Sequence, residues 1–428
     1  MNRMTKINKI LVATSMLAMT SYSSLAFSQQ SSPIVCPGYE KPKTKLLGER
    51  AGKKLQAAYE VYLNEELEEK SRVAQAMTML RDIDAKEPFD KSTVERFLGQ
   101  LLVAEEGKQD EALSLLESAA SRNELNDKDQ ADILKLVGDL SLQEEKYEKA
   151  VVWYKKWMEF TCKEDGDTWT KIAKVYTETK EYDKVLDAAD KAISLYEEPS
   201  KNPYNLKINA YHETKNYKGA VSTGEILVEL FPEEKEYWSR LGFFYMLVED
   251  YSSALATFEL AYRQGFLSKK SEFRSMAQLY AAQDIPWKSA ELTRKYMEEG
   301  LLDTDADDLA GLAGVYRQAR EFKEAAKYYG QAAQKEPSEE YYEKQGVMLL
   351  DAEDYKGAIR ALKNSLENRS EEQGSVHYAL MQAYFYDGDF RQANVHAREA
   401  MKDPSLRRSA NAWLPYIKGK ADNRGIKI

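Results

Sequence analysis

Residues 235–268 read KEYWSRLGFFYMLVEDYSSALATFELAYRQGFLS, and this stretch decides the fold. Its first apolar residues stand at i, i+3, i+4 and i+7, the spacing of one helix face: Trp238, Leu241, Gly242 and Tyr245. A polar pair at 249–250 interrupts the pattern. A second helix face then follows: Tyr251, Ala254, Phe258 and Ala261. Because Gly242 and Ala254 are small where two helices would meet, the stretch predicts a closely packed helical hairpin.

The same pattern recurs along the chain at intervals of 33 to 38 residues. In each copy an aromatic or polar residue and two spacers precede a small residue: Ala112, Ala150, Val185, Ala220, Ala254, Ala290, Ala325, Ala358 and Ala393. One period upstream, Ala76 marks a degenerate first repeat, and downstream Trp413, Leu414 and Ile417 predict a closing helix. A unit of this length cannot bury a core alone, so the repeats are expected to stack.

These positions resemble the tetratricopeptide repeat family, whose signature is W-x2-L-G-x2-Y followed by A, F, A and P. The resemblance covers about residues 57–408. It implies an all-α fold, a right-handed superhelical solenoid of about nine to ten helical hairpins with a C-terminal capping helix. We therefore assign 27–56 to a flexible N-terminal segment, 57–408 to the solenoid, and 409–428 to the capping helix and tail.

Residues 1–26 have the features of a cleavable signal peptide. Three basic residues and no acidic one precede a largely apolar run at 10–19, and Ser24 and Ala26 are small residues at the −3 and −1 positions of a cleavage site. The run is too short to span a membrane. We expect export, most simply to a bacterial periplasm, with cleavage after Ala26 or alternatively after Ser28. A frayed cytoplasmic N-terminus is the other interpretation.

The charge balance argues against nucleic acid as a partner. The chain has 61 basic and 71 acidic side chains, a formal charge of −10. Removing 1–26 takes away three basic residues and no acidic one, so the mature chain has 58 − 71 = −13. A strongly negative protein repels polyanions and anionic membrane surfaces.

Two cysteines, Cys36 and Cys162, are the whole cysteine content. In an oxidising compartment they could pair and tie the N-terminal segment to the third repeat. Closing a loop of this length would stabilise by roughly 4–5 kcal/mol in the chain-entropy model. The alternative is two unpaired thiols, and neither environment indicates metal or redox chemistry.

The sequence shows no converging set of catalytic residues, so we expect a protein that is not an enzyme and has no cofactor or metal. The three histidines lie in different repeats, far from the spacing of a metal site. Asp303, Asp305 and Asp307 alternate as in a calcium loop, but Asp308 and Gly314 replace the glycine and glutamate that such a loop requires. Helix capping explains these acids more simply. An enzyme with a site in the groove is the remaining alternative.

The family resemblance also implies where partners bind. In tetratricopeptide repeats the first helix of each hairpin lines the inner groove, at positions that the packing signature leaves free. Carried over residue by residue, the partner-binding positions are Lys174, Asn205, Asn209, His212, Phe243, Met246, Tyr378 and Phe385. Asn205 and Asn209 lie one turn apart and could bond the backbone of an extended peptide. Phe243 and Met246 would form an adjacent apolar pocket.

A narrower resemblance concerns four runs, 128–131, 157–161, 202–204 and 244–251. They are similar to gammaproteobacterial periplasmic repeat proteins assigned to the TonB energy-transduction system. The likeness implies a periplasmic adaptor or scaffold whose partners belong to TonB, ExbB and ExbD in outer-membrane transport. An envelope-assembly or cell-wall scaffold without a link to TonB is the alternative. The oligomeric state does not follow from the sequence.

Overall fold

The computed structural model describes residues 33–367 and 374–428, and the predicted signal peptide lies outside them. The described residues are all-α, with 21 helices and no strand. The helices are α1 Glu49–Leu63, α2 Glu69–Arg81, α3 Pro88–Leu102, α4 Gln109–Arg122, α5 Asp127–Gln143, α6 Tyr147–Thr161, α7 Gly166–Glu178, α8 Tyr182–Leu195, α9 Lys201–Glu213, α10 Tyr217–Leu230, α11 Lys235–Leu247, α12 Tyr251–Arg263, α13 Lys270–Ala282, α14 Pro286–Glu298, α15 Ala306–Gln318, α16 Phe322–Lys335, α17 Glu339–Asp351, α18 Tyr355–Glu367, α19 Gly374–Asp387, α20 Phe390–Ala400 and α21 Arg407–Asn423. The chain divides into unit 1, which ends at Asn216, and unit 2, which begins at Tyr217.

Consecutive helices pack as antiparallel pairs within each unit. In unit 1 these are α1 with α2, α3 with α4, α5 with α6, and α7 with α8; in unit 2 they run from α11 with α12 to α19 with α20. All nine small residues of the sequence repeat are at most 1% exposed, and eight of them lie in the second helix of one of these pairs. The predicted hairpins are confirmed, and the small residues are where two helices meet.

Glycine in the first helix allows this close approach. A Cβ atom added to Gly242 would lie 2.7 Å from the ring of Phe258, which is fully buried in the paired helix. Gly138 faces the buried ring of Tyr154 at the same 2.7 Å. Because real Cβ contacts do not occur at this distance, only glycine lets the aromatic ring lie against the helix backbone.

The turns inside the hairpins share one conformation, which explains why they are polar. Glu145, Lys180, Glu249, Arg320 and Glu353 all have φ between 56° and 62°, the left-handed region. The next residue then donates its N–H to a carbonyl five residues back, as Asp250 does to Tyr245 at 2.9 Å. This bond satisfies a carbonyl that the helix end would leave unpaired, and it reverses the chain within two residues.

The two ends of the repeat array extend the sequence prediction. Ala76 and Leu80 are buried in α2, as the degenerate first repeat requires, but its partner α1 begins at Glu49, before the predicted start at residue 57. At the other end Ile417 is fully buried on α21, which packs on α20. Trp413 and Leu414 are half-buried against the same core.

The described part of the N-terminal segment is attached to unit 1 at several points. Cys36 forms a disulfide with Cys162, and the N–H of Val35 donates to the carbonyl of Thr161 at 2.9 Å. Further along, the N–H of Lys45 donates to Oδ1 of Asn126 at 2.8 Å. These bonds order residues that the sequence pattern alone would leave as a flexible lead-in.

Candidate functional site

The sequence-predicted groove residues of unit 1 lie on α7 and α9. Lys174, Asn209 and His212 are exposed, and Asn205 is half-buried. Nδ1 of His212 is 3.8 Å from the carboxylate of Glu213. The exposed residues therefore present amide, amine and imidazole groups to solvent, while the buried positions of the same helices pack within the unit.

In unit 2, Phe243 and Met246 are partly buried rather than open. The ring of Phe243 packs edge-to-face on Phe258, with centroids 5.2 Å apart. Both side chains contact the apolar core of the α11–α12 hairpin. They thus offer only one side of an apolar surface to a partner.

Phe385 does not line a groove, which corrects the sequence prediction. It is 8% exposed, because it lies beneath the capping helix with its ring 5.3 Å from that of Trp413 and 5.0 Å from that of Tyr416. Tyr378 is half-buried, and its Oη accepts a hydrogen bond from Nε1 of Trp413 at 3.1 Å. A helix that covers the last repeat occupies the inner positions that stay open elsewhere.

A cleft in unit 2 lies between α13 and α15. Its volume is about 400 Å³. Arg274, Gln278 and Ala281 line it from α13, and Asp307 and Gly311 line it from α15. A Cβ atom added to Gly311 would meet nothing within 4 Å, so the backbone of α15 is open to the cleft.

Opposite charges face each other at one end of this cleft. Nη2 of Arg274 is 3.0 Å from Oδ1 of Asp308. Burial, reinforced by Asp305, raises the pKa of the Asp308 carboxyl, and Arg274 opposes that rise. The Tyr341 hydroxyl donates to Asp307 at 2.6 Å, and this bond raises the pKa of Tyr341 to about 12. The cleft therefore has an ordered polar end that can bond a backbone or a charged side chain.

The calcium-like aspartates have separate roles. Asp305 is the N-cap of α15, where its side chain accepts a hydrogen bond from the N–H of Asp308 at 2.8 Å. Asp303 pairs with Lys270 at 2.5 Å. These contacts agree with capping rather than a shared ligand sphere. No group of three or more His, Cys, Asp or Glu that could hold a metal ion occurs in residues 33–367 and 374–428.

Sequence reasoning missed Arg274 and Gln278, although the signal for them was present. They stand one repeat after Ser239 and Phe243, since 274 − 239 and 278 − 243 both equal 35. The unit around Pro286 departs from the family signature, which makes its inner positions harder to recognise in the sequence. The structure shows a regular α13 and α14 there, with Pro286 as the first residue of α14.

A second cleft lies in unit 1 on the other helices of the hairpins, between α4 and α6. Its volume is about 540 Å³, and its walls include Glu117, Lys149 and Trp153. Lys149 pairs with Glu117 at 3.0 Å across it. A salt bridge between its two walls already satisfies the main charged groups of this cleft.

His377 and His396 form an unusual pair between α19 and α20, so they lie in one hairpin and the sequence interpretation that put the three histidines in different repeats was wrong for these two. Their Nδ1 atoms are 2.9 Å apart, which requires one nitrogen to carry the proton and the other to accept it. Burial lowers the pKa of both imidazoles, and the charges of His377 and Lys363 help to bring that of His396 to about 4. Glu399 opposes the shift at both rings, while Lys402 adds to it at His377.

Comparison with known proteins identifies one repeat. Residues 309–341, which span most of α15, all of α16 and the start of α17, match the tetratricopeptide repeat family model. That segment is a tetratricopeptide repeat. No curated protein matches the chain.

Three solved structures illustrate the structural likeness. A tetratricopeptide repeat protein from Parabacteroides merdae is 16% identical, over 63% of this chain and 99% of its own, with a TM-score of 0.36. YrrB, a repeat protein described as having an unusual peptide-binding site, is 18% identical over 47% of this chain and 98% of its own, with a TM-score of 0.34. MamA from Desulfovibrio magneticus is 21% identical over 41% of this chain and 96% of its own, with a TM-score of 0.34.

No helix in the described ranges is both long and apolar enough to cross a membrane.

Proposed function

We propose that this protein is an exported adaptor that binds protein or peptide partners on the first helices of its hairpins. The observation that carries the proposal is the cleft between α13 and α15. The cleft is an open cavity of about 400 Å³ whose lining combines apolar side chains such as Met297 and Leu312 with polar ones such as Gln278 and Gln318. A cavity with apolar walls and a few ordered polar groups is typical of binding sites.

The chemistry of the cleft suits an extended peptide. Gln278 and Gln318 supply both donors and acceptors, and Gly311 exposes helix backbone where a ligand could approach closely. The Arg274–Asp308 pair at one end can exchange its partners with a charged side chain. Asn205 and Asn209 remain predicted peptide contacts on unit 1, where Asn209 is exposed and Asn205 is half-buried.

Filling the cleft tests the proposal. Gly311→Leu should block it without harming the fold, since the added side chain meets open space and leucine favours helix more than glycine does. A photo-crosslinking residue at Gln278 should then capture partners in the parent protein and lose at least nine-tenths of them in Gly311→Leu. Gly419→Leu is the matched control, because Gly419 is also helical and also meets open space. Equal capture in both glycine variants would contradict the proposal.

We further propose that the protein acts in the periplasm as an accessory component of TonB–ExbB–ExbD-dependent outer-membrane transport. The signal-like sequence at 1–26 and the Cys36–Cys162 disulfide support export, because disulfides persist in oxidising compartments. Sequencing the N-terminus of protein from a periplasmic fraction tests this step. A chain that begins at Met1 and stays in the cytoplasm would overturn it.

The partner assignment needs its own experiment. Crosslinking in intact cells followed by mass spectrometry should recover TonB, ExbB or ExbD with the Gln278 probe. Recovery of envelope-assembly or cell-wall proteins without any of these would replace the TonB assignment by the scaffold alternative. The adaptor proposal itself would survive that result, because it depends on the cleft and not on the identity of the partner.

A further inference from the structure

The C-terminal end of unit 2 carries an exposed aromatic array that repeat packing does not require. Tyr386 on α19 and Tyr416 on α21 are each 52% exposed. Trp413 lies between them, half-buried, at 6.4 Å from Tyr386 and 5.9 Å from Tyr416 between ring centroids. Tyr355 stacks on Tyr386 at 5.4 Å. Aromatic rings of this size exposed side by side are typical of binding surfaces.

The array is held in place from below. The ring of Phe385 contacts those of Tyr386, Trp413 and Tyr416 at 5.4, 5.3 and 5.0 Å. The hydrogen bond from Trp413 to Tyr378 fixes the orientation of the indole. Neighbouring outer rings meet at 80° and 67°, so the surface has ridges with spaces between them rather than one flat stack. A surface that is ordered before binding loses little entropy when a partner docks.

Two cations lie beside the rings at the Tyr416 end of the array. Residues 407–428 contain six basic side chains and one acidic side chain, a net charge of 6 − 1 = +5 in a chain of −10. Nζ of Lys420 lies 5.6 Å from the Tyr416 ring centroid, and the Arg424 guanidinium lies 5.2 Å from that of Phe390. Within the described residues no carboxylate pairs with either of them, whereas Lys270, for example, pairs with Asp303. At the other end of the array, burial and the nearby Glu353 raise the pKa of Tyr355, so the positive charge is confined to the Tyr416 end.

We propose that this aromatic–basic surface, formed by Tyr355, Tyr386, Trp413, Tyr416, Lys420 and Arg424, binds an acidic, proline-rich peptide segment. Proline-rich chains adopt the extended polyproline II helix and insert their rings between aromatic ridges at small entropic cost. Acidic residues spaced along such a chain would meet Lys420 and Arg424. The negative charge of the whole protein disfavours a nucleic acid more than a peptide with widely spaced acids, because a nucleic acid carries one negative charge at every nucleotide and is repelled more strongly by the body.

Binding at this surface does not depend on the cleft between α13 and α15. The two sites use different helices, so a variant that blocks one should leave the other unchanged. Gly311→Leu should therefore bind the peptide as the parent protein does. A loss of peptide binding in Gly311→Leu would place the peptide site in the cleft and overturn this inference without affecting the proposed adaptor function.

The test is fluorescence anisotropy on the purified full chain with labelled peptides. Four repeats of Glu-Pro-Pro should bind at least tenfold more tightly than four repeats of Lys-Pro-Pro, which reverse the charge, or of Glu-Gly-Gly, which remove proline. Tyr386→Ala with Tyr416→Ala should weaken binding at least tenfold, and so should Lys420→Glu with Arg424→Glu. Trp287→Ala and Lys335→Glu are matched controls: Trp287 is 56% exposed on α14, Lys335 is exposed on α16, and both should bind normally.

Three results would overturn the inference. Equal affinity for the glycine peptide would show simple charge attraction, and equal affinity for the lysine peptide would exclude a role for the basic side chains. Tighter binding of a twelve-nucleotide oligothymidine would assign the surface to single-stranded nucleic acid. Because Tyr386, Tyr416, Lys420 and Arg424 are exposed, their variants should keep the helical circular dichroism and melting temperature of the parent, and these serve as the folding control.

Discussion

Removing the disulfide should weaken unit 1 and leave unit 2 intact. The bridge from Cys36 to Cys162 spans 126 residues of sequence, which include all of α1 to α6 and therefore the first three hairpins. Cys36→Ser with Cys162→Ser removes the covalent link. The hydrogen bonds from Val35 to Thr161 and from Lys45 to Asn126 remain and hold the segment only locally.

The size of the effect follows from the length of the loop. For a separation of 126 residues, the chain-entropy expression gives about 5 kcal/mol at 25 °C. That value is an upper bound, because it applies when the whole loop unfolds as one, whereas repeat arrays also open by local steps at their ends. We therefore expect the unfolding free energy of unit 1 to fall by about 2–5 kcal/mol.

Urea denaturation combined with amide hydrogen exchange, resolved by mass spectrometry, measures the stability of unit 1 and of unit 2 separately. Exchange should accelerate in peptides from α1 to α6, while peptides from α13 to α21 keep their protection. Treating the parent protein with a reductant should reproduce the effect, and the variant should not respond to it. A change below about 1 kcal/mol in unit 1, or an equal loss of protection in both units, would refute the loop-closure reasoning.

Three further predictions concern single side chains. Gly242→Ala should lower the free energy of unfolding by about 1–2 kcal/mol, because the added Cβ atom would overpack the buried Phe258 ring although alanine favours helix more than glycine does. A double-mutant cycle with Phe258→Leu, measured by urea unfolding, should show coupling between the two positions. If the effects of the two substitutions simply add, the contact is contradicted. Asp305→Ala should lower the free energy of unfolding by about 1 kcal/mol, because the N-cap of α15 is lost. Asp303→Ala is the control in thermal unfolding and should have a smaller effect, so equal effects of the two variants would argue against capping. Between pH 6.5 and about 4, His396 binds a proton in the unfolded chain but not in the folded one. The free energy of unfolding should therefore be highest above pH 6.5 and fall as the pH drops through this window, by on the order of 2 kcal/mol after allowing for partial exposure of the ring. His396→Gln should flatten the pH dependence of the urea midpoint, and an unchanged slope would assign that dependence to other groups.

The spacing of small and aromatic residues was enough to predict the hairpins, because those positions are determined by local packing. Ala254 is buried and Gly242 faces Phe258, as the pattern at 235–268 requires. The same pattern could not place the start of α1, since the one glycine of 49–63, Gly52, does not follow a leucine as the glycine of the signature does. Partner positions were harder to predict still. Phe385 has the spacing of an inner-surface residue, but only the packing of α21 on α20 shows that a capping helix covers it.

That covering helix also explains why the C-terminal end is the place to look for function. A terminal repeat is expected to carry a polar outer face, because an apolar one would favour association of chains. Helix α21 covers the core of the last repeat through the buried Ile417. Its outer face, however, carries the exposed Tyr416 and the half-buried Trp413, beside cations with which no carboxylate of the described residues pairs. Sequences that agree with a fold at every level depart from its rules mainly where function requires it. The capping helix closes the core and at the same time exposes an aromatic surface that stability does not need. Binding of a partner is the physical reason for that exposed surface.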